Sequence, residues 1–578
     1  MLRVALLGVL AGWVATAQAQ EPPLNVPTFH GDRQRVGWNA RETVLTPASV
    51  GSPAFGPLWS SPPLDGIDID GVSYPPHLYA SPLYVEAGQG EAIILAATSN
   101  SVVYAVAASG SRPGAIVWRR ALGTPVVLKA LDGGLPLGIL STPSIDLDVQ
   151  PPRLYVAALD AVQGWQVFAL DLGSGEVLPG WPVRMDDQSL QPVNRNGPAR
   201  LQAPEVMSQR GALNLSPDGG LLYVPFGSFV DGGAGWLVAV DTRRAAAVGA
   251  FSAAPSAEPI ANGGIWGAGG AAVGADGRVY ATTGNSGDGS ADAPGVWGQS
   301  LLVFDARLRL LGTYTPFNYC ALDAGDIDLG GSSPVLLPDL ASTSTLTPRL
   351  IAFGGKQGTV YLVDRDAISP PSAARQPCSV DSTTDRSLLP PDPQPQYQAR
   401  GPLNVFGPYS DRYGQGDWAK MRSTPAYFQA ADGSNFLFVS GSTRAAEDST
   451  EAVPPGVARL RVVTSPGEPA YLAVDATSSG LALLSPGSPV VTSNAAADAL
   501  VWVLDANLPR SQPLVGADVP HPVLYALAAT SLRVIWHSAP DQLEVGGKYA
   551  TPLIAHGVVY VGTDRIHAFG LTASSAED

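Results

Sequence analysis

The chain is poor in cysteine, lysine, histidine and charge of either sign. Only Cys320 and Cys378 occur in 578 residues, never side by side and never as CxxCH. That excludes a scaffold built on disulfides and an attached c-type haem. The six histidines show no H-x-x-x-H spacing, and neither a G-x-S-x-G elbow nor a phosphate-binding loop is present. Zinc-peptidase, serine-hydrolase and P-loop chemistry therefore lack their motifs. Charged residues make up 15%, with 34 Lys+Arg against 50 Asp+Glu and a formal net charge of −16. An acidic surface of this kind repels nucleic acid and anionic membranes. Beyond the N-terminus no apolar run is long enough for a membrane helix, and no segment sustains a 3.6-residue period.

What is abundant is glycine (64), proline (53) and apolar residues (45%). That balance suits many short strands joined by tight turns. The chain opens MLRVALLGVLAGWVATAQA: Arg3 is a basic start, Val4 to Val14 an apolar run, and Ala17-Gln18-Ala19 a small-x-small cleavage site. Residues 1–19 read as a cleaved Sec-type signal peptide, so the mature chain is expected to be periplasmic or extracellular. In such an oxidising compartment Cys320 and Cys378 read as one disulfide, with two buried thiols as the alternative.

One unit recurs along residues 20–578. It begins with a [ST]-P turn or a Gly cluster, continues in two short strands, the second ending x-A-x-D, and a Trp often follows about ten residues on. Ser81-Pro82 leads to VVYAVAASG and Trp118; Thr142-Pro143 leads to LYVAALD, WQVFALD and Trp181. Six further copies follow, among them LLYVPFGS with GWLVAVD, and Thr424-Pro425 with FLFVSGS. The last, TPLIAHGVVYVGTDRIHAFG, lacks its outer strand, whereas Phe55 to Trp59 reads as an outer strand without predecessors. The expectation is an all-β, eight-bladed propeller of four-stranded antiparallel blades, its ring closed by that N-terminal strand. Alternation of apolar and polar residues predicts half-buried strands. Residues 369–417, rich in Pro, Ser, Asp and Gln, read as a long irregular loop between two blades.

Motifs with chemistry lie mid-chain. In order they are Asp231 in GSFVDGG, Trp266 in GGIWGAGG, Asn285 in YATTGN, Asp326 and Asp328 in TPFNYCALDAGDID, and Lys356 in GGKQGTVYLVDRD. The repeat and this ordered set resemble the pyrroloquinoline quinone (PQQ) family, the quinoprotein methanol and alcohol dehydrogenases and their PQQ-like propeller relatives. The resemblance implies Trp266 as the floor under PQQ, and Asp231 and Asn285 as ligands of calcium or a lanthanide. It implies Asp326 or Asp328 as the base, Asp328 as a further metal ligand, and Lys356 at the quinone oxygens. Asp231 stands where those enzymes usually carry Glu, and their adjacent cysteines are absent. The implied chemistry is coherent: an aromatic face for a planar quinone, hard oxygen ligands for a hard cation, a carboxylate to take an alcohol proton, and a cation to meet developing charge.

Two functions follow from these residues. One is oxidation of an alcohol or sugar hydroxyl, with electrons passed to a separate acceptor because no haem is attached. The other is a non-catalytic propeller that binds a protein, a polysaccharide or a small ligand. Arg210, Lys420, Arg422 and Lys548 stand beside segments that open blades, and read either as scattered surface charges or as a basic funnel on the axis for an anionic ligand or PQQ. Lysine occurs only four times, at 129, 356, 420 and 548, so Lys356 does not belong to a crowd of surface lysines.

Overall fold

The computed structural model describes residues 23–572 apart from 89–90, 129–133, 230–231, 256–262, 287–292, 317–318, 372–402, 407–420, 442–455, 510–511 and 516–517. The expected leader, Asp231, Cys378 and Lys420 lie outside the described residues.

Eight small antiparallel sheets form an eight-bladed propeller. Blades 1 to 4 span residues 83–121, 144–184, 207–252 and 272–314. Blades 5 to 7 span 335–404, 426–477 and 490–537. Blade 8 combines Leu553–Ala555, Val558–Gly562 and Ile566–Leu571 with Phe55–Ser60. The last pairing sets Phe55 opposite Leu571 and Ser60 opposite His567, antiparallel. The N-terminal strand expected to close the ring does so. Of the stretch 369–417, Leu403–Asn404 pairs with Thr359–Val360 as the outer strand of blade 5, and most of the remainder lies outside the described residues.

The blades have no solvent face. Leu154, Val156 and Ala158 of one strand pack toward blade 1, while Tyr155, Ala157 and Leu159 of the same strand pack toward blade 3. The period of two is present, but both of its faces are buried. This corrects the expectation of half-buried strands: small and β-branched residues hold the second face. The same division holds all round, and each junction between neighbouring blades carries its own apolar cluster.

The trailing tryptophans have a visible task. Trp118 on the outer strand of blade 1 covers Gly175 in a turn of blade 2, where a Cβ would stand 2.5 Å from the ring, and its indole N–H donates to Leu172 O at 3.1 Å. Trp59 of blade 8 lies likewise against Gly114 of blade 1. Gly175 and Gly114 have φ of +72° and +85°, so each position needs glycine for its backbone as well as for the ring above it.

A second device had no signal in the sequence. Residues 24–39 run as a belt along the innermost strands and touch all eight blades in order. Val26 exchanges backbone hydrogen bonds with Tyr84 of blade 1, and Pro27 O accepts from Ile145 N–H of blade 2. Thr28 Oγ1 donates to Leu213 O, just before Asn214–Leu215, the innermost strand of blade 3. Arg33 O, Gln34 O, Val36 O and Gly37 O accept from Val273, Leu336, Tyr427 and Val491 of blades 4 to 7. Asn39 Nδ2 donates to Ile554 O of blade 8 at 3.4 Å. Fully buried Arg35 secures the belt, donating to Thr28 Oγ1 at 2.7 Å, Phe29 O at 3.1 Å and Leu213 O at 3.0 Å.

His30 lies within the belt, stacked on Phe29 with ring centroids 4.3 Å apart and with Nδ1 3.1 Å from Arg35 O. Burial pulls its pKa from 6.5 to about 3, and the charge of Arg35 acts in the same direction against the hydrogen bond. An imidazole that resists protonation only when folded contributes stability that is full above 6.5 and falls as pH drops from there toward about 3. His30→Asn keeps a side chain suited to the φ of 59° at this position. Its unfolding free energy, followed by urea titration between pH 7 and pH 4, is expected to decline less steeply with falling pH than that of the wild type. Parallel slopes for the two proteins would show that His30 does not carry the dependence.

Candidate functional site

Most of the residues singled out by motif occupy connections at one end of blades 4 and 5. Trp266 lies on the approach to Ala272–Val273, the innermost strand of blade 4. Asn285 follows Val279–Thr282 in the same blade. Asp326 and Asp328 lie on the approach to Val335–Leu336, the innermost strand of blade 5, after the short helix Tyr319–Ala324. Lys356 sits in the turn between Leu350–Phe353 and Thr359–Asp364. Neighbouring blades thus bring together side chains ninety residues apart in sequence.

Lys356 is the hub. Its Nζ is 2.6 Å from Asp328 Oδ2 and 2.8 Å from Asp326 Oδ1, and it also donates to Asp326 O at 3.2 Å. Its backbone N–H donates to Asp328 O, which fixes the turn to the strand approach that carries both acids. Burial pulls the ammonium down, but the charges of Asp328 and Asp326 outweigh it and hold its pKa above the usual lysine value, with Arg422 opposing them. Lys356 therefore stays charged through neutral pH. Asp328 is 3% exposed, and its other oxygen accepts the Asn285 N–H at 2.7 Å. Asp326 faces solvent, its backbone held at φ 52°. The two acids, two residues apart, have different surroundings: Asp328 is anchored on both oxygens, and Asp326 is accessible.

Trp266 is half-buried, with Lys356 Nζ 5.6 Å from its ring centroid. Three glycines seat it. A Cβ on Gly227 of blade 3 would stand 3.1 Å from Trp266 Cβ, one on Gly284 of blade 4 3.3 Å from Nε1, and one on Gly331 near blade 5 3.1 Å from Cη2. The ring fills a notch that three blades leave for it, and it is not wedged into one of the apolar clusters between blades. A cation over an indole face is attractive in its own right.

Asn285 meets Asp328 through its backbone N–H, and its carbonyl accepts from Gly263 N–H at 2.8 Å. A residue without a motif completes the frame. Gln299 is fully buried with φ 49°; its Oε1 accepts from Leu329 N–H at 2.8 Å and its N–H donates to Gly284 O at 2.6 Å. It clamps the turn carrying Asn285 to the segment carrying Asp328, a role that a lone Gln in GVWGQS does not advertise.

A planar quinone fits what is present: an aromatic plate, a cation above it and an accessible carboxylate beside the cation. A metal fits less well. Among the described residues no group of three or more His, Cys, Asp or Glu could hold an ion, whereas a calcium ion takes six to eight oxygens. Asp328 is already engaged by Lys356 and Asn285, and Asp231 lies outside the described residues.

Solved structures show the same architecture. The quinohemoprotein alcohol dehydrogenase of Comamonas testosteroni superposes with a TM-score of 0.58 at 15% identity, over 96% of this chain and 82% of that one. The quinohemoprotein alcohol dehydrogenase ADHIIG of Pseudomonas putida HK5 gives 0.57 at 14% identity, over 96% and 81%. The shared feature is the fold. No protein-family model matches the sequence, and no curated protein does.

Gly284 packs directly against the acid, because a Cβ there would stand 2.6 Å from Asp328 Oδ1. Gly284→Ala is expected to displace the Asp328 carboxylate from Lys356 and to lower the unfolding free energy by about 1–3 kcal/mol. Gly284 is not among the glycines with positive φ, so its replacement reads the Asp328 contact without left-handed backbone strain. Unchanged stability of Gly284→Ala by chemical denaturation would mean that the Asp328 contact is not what Gly284 protects.

Proposed function

We propose that the chain is an exported quinoprotein-type dehydrogenase that holds PQQ against Trp266 and oxidises an alcohol or sugar hydroxyl, passing electrons to a separate acceptor. The observation that carries this reading is the Lys356 ammonium, charged by its two carboxylates and held over the face of a half-buried tryptophan. PQQ, when bound, supplies an electrophilic carbonyl that accepts a hydride. The remaining roles belong to the chain. Trp266 gives the planar group a face to lie on. Lys356, whose three N–H groups meet Asp328 Oδ2, Asp326 Oδ1 and Asp326 O, exchanges the longest of these contacts for an oxygen on that face and stabilises negative charge developing there. Asp328, fixed by Asn285 N–H, orients Lys356. Asp326, accessible and 2.8 Å from Lys356, takes the proton of the substrate hydroxyl. Export rests on the first nineteen residues, and periplasmic or extracellular oxidation is consistent with it.

Titration of the purified chain with PQQ, with and without Ca²⁺ or a light lanthanide, tests this by calorimetry and by quenching of tryptophan fluorescence. Saturable binding is expected. Trp266→Ala and Lys356→Met are each expected to weaken it about tenfold or more, since a hydrogen bond to a charged group is worth about 1.5–3 kcal/mol. Asp326→Asn is expected to bind PQQ normally and to lose dye reduction with a panel of alcohols and sugars. Absence of PQQ binding under every metal condition would leave the second reading, a propeller that binds a partner on its face.

A further inference from the structure

The belt shares a cavity with the blades it crosses. Residues 24–32 on one side and 37–41 on the other border a space of about 310 Å³, closed by the innermost strands of blades 1, 7 and 8 and the turns that open them. An apolar cavity of roughly half that volume admits benzene. The walls are largely apolar, with Val26, Phe29, Trp38, Val490 and Leu553 among them. None of Trp266, Asp326, Asp328 and Lys356 lines it, so it is separate from the site described above.

Two residues of this lining each bury a polar atom that has no hydrogen-bond partner among the described residues: His30 Nε2 and Thr551 Oγ1. His30 is 9% exposed and Thr551 3%. The geometry assigns the roles at His30. Its Nδ1 lies 3.1 Å from Arg35 O. A carbonyl only accepts, so in the neutral ring Nδ1 carries the proton and Nε2 keeps an open lone pair. Phe29 stacks on one face of the ring, and Gly37 approaches its Nδ1 side. Burial and the Arg35 charge keep the ring neutral at pH 7. The Thr551 hydroxyl can donate or accept. Buried polar atoms are nearly always satisfied, so the cavity calls for a molecule that brings a donor. Charge favours neither sign, because Asp32 and Arg41 both line the space.

We propose that this cavity binds a neutral, apolar alcohol, with the hydroxyl donating to His30 Nε2 and the hydrocarbon part against Phe29, Trp38 and Leu553. Thr551 Oγ1 offers a second polar contact. Apolar walls with a few fixed polar atoms are what orients a small ligand. The site requires no quinone and stands whether or not Trp266 receives one.

The test uses the full chain without quinone and the probe 3-phenylpropan-1-ol, with propylbenzene and the cationic 3-phenylpropylamine for comparison. The alcohol is expected to bind saturably by ligand-observed NMR and to raise the melting temperature. His30→Asn, which suits the φ of 59°, and Thr551→Val are each expected to weaken the alcohol about fivefold, which corresponds to about 1 kcal/mol. Both are expected to leave propylbenzene unaffected, since it makes no hydrogen bond. Trp266→Ala is expected to leave the alcohol's affinity unchanged. Circular dichroism verifies that the variants fold. Should His30→Asn not fold, Thr551→Val, which keeps the shape of the side chain, decides. Alcohol binding that depends on His30 in a chain that ignores PQQ keeps this site and removes the quinone reading. The proposal is overturned by no saturable binding of the alcohol, by tighter binding of the amine, by loss of binding in Trp266→Ala, or by unchanged affinity in both the His30 and Thr551 variants.

Discussion

Burial of each blade on both faces is the constraint from which the rest of the structure follows. A sheet with one wet face could stand at the end of a stack. Blade 2 could not, because Leu154, Val156 and Ala158 need blade 1 as much as Tyr155, Ala157 and Leu159 need blade 3. A row of such sheets has no acceptable end, so the row must close on itself. Blade 8 must therefore find its outer strand at the other terminus, and Phe55–Ser60 supplies it. The same closure creates an axis, and an axis lined by the innermost strands exposes backbone groups that need partners. The belt of residues 24–39 meets that need with at least one hydrogen bond to every blade.

Closure also determines where chemistry can be placed. The belt occupies the inner strands, while Arg210, Trp266, Asp328, Arg422 and Lys548 all precede an inner strand by a few residues. Segments from different blades converge there, so residues far apart in sequence meet without any long excursion of the chain. Trp266 illustrates the geometry: the glycines that seat it, Gly227, Gly284 and Gly331, come from or beside three successive blades. A side chain in such a notch is held by the ring as a whole, which is the rigidity a binding site needs.

The repeat, the number of blades and the closing strand were legible because each blade repeats the same turn and strand signals. The grouping of Trp266, Asp326, Asp328 and Lys356 was legible through motif order. The belt was not. It touches blades at uneven intervals, at 26, 27, 28, 33, 34, 36, 37 and 39, and mostly through backbone carbonyls, which any residue can supply. Burial on both faces was hidden for a related reason: alanines such as Ala157 and Ala158 read as neutral in an alternation pattern but fill close-packed junctions. Asn285 was noticed for its side chain, whereas its backbone N–H is what meets Asp328. Gln299 carried no signal, because a clamp between two turns has no spacing of its own.

The ion triad at Lys356 is best understood by asking what the same space could have held. A buried ion pair loses hydration that its Coulomb attraction does little more than restore, and apolar groups of similar volume often serve stability as well or better. The junctions of this propeller show that the chain fills space with Leu, Val and Ala wherever packing is the requirement. At Lys356 it places one of only four lysines, and surrounds it with an anchored acid, an accessible acid and an indole face. Gly284, Gly331 and Gln299 are then fixed by the need to hold that arrangement, and none of them adds to the apolar core. Packing alone does not call for so many mutually dependent polar choices in one place, which sets this end of the axis apart from the apolar junctions between blades.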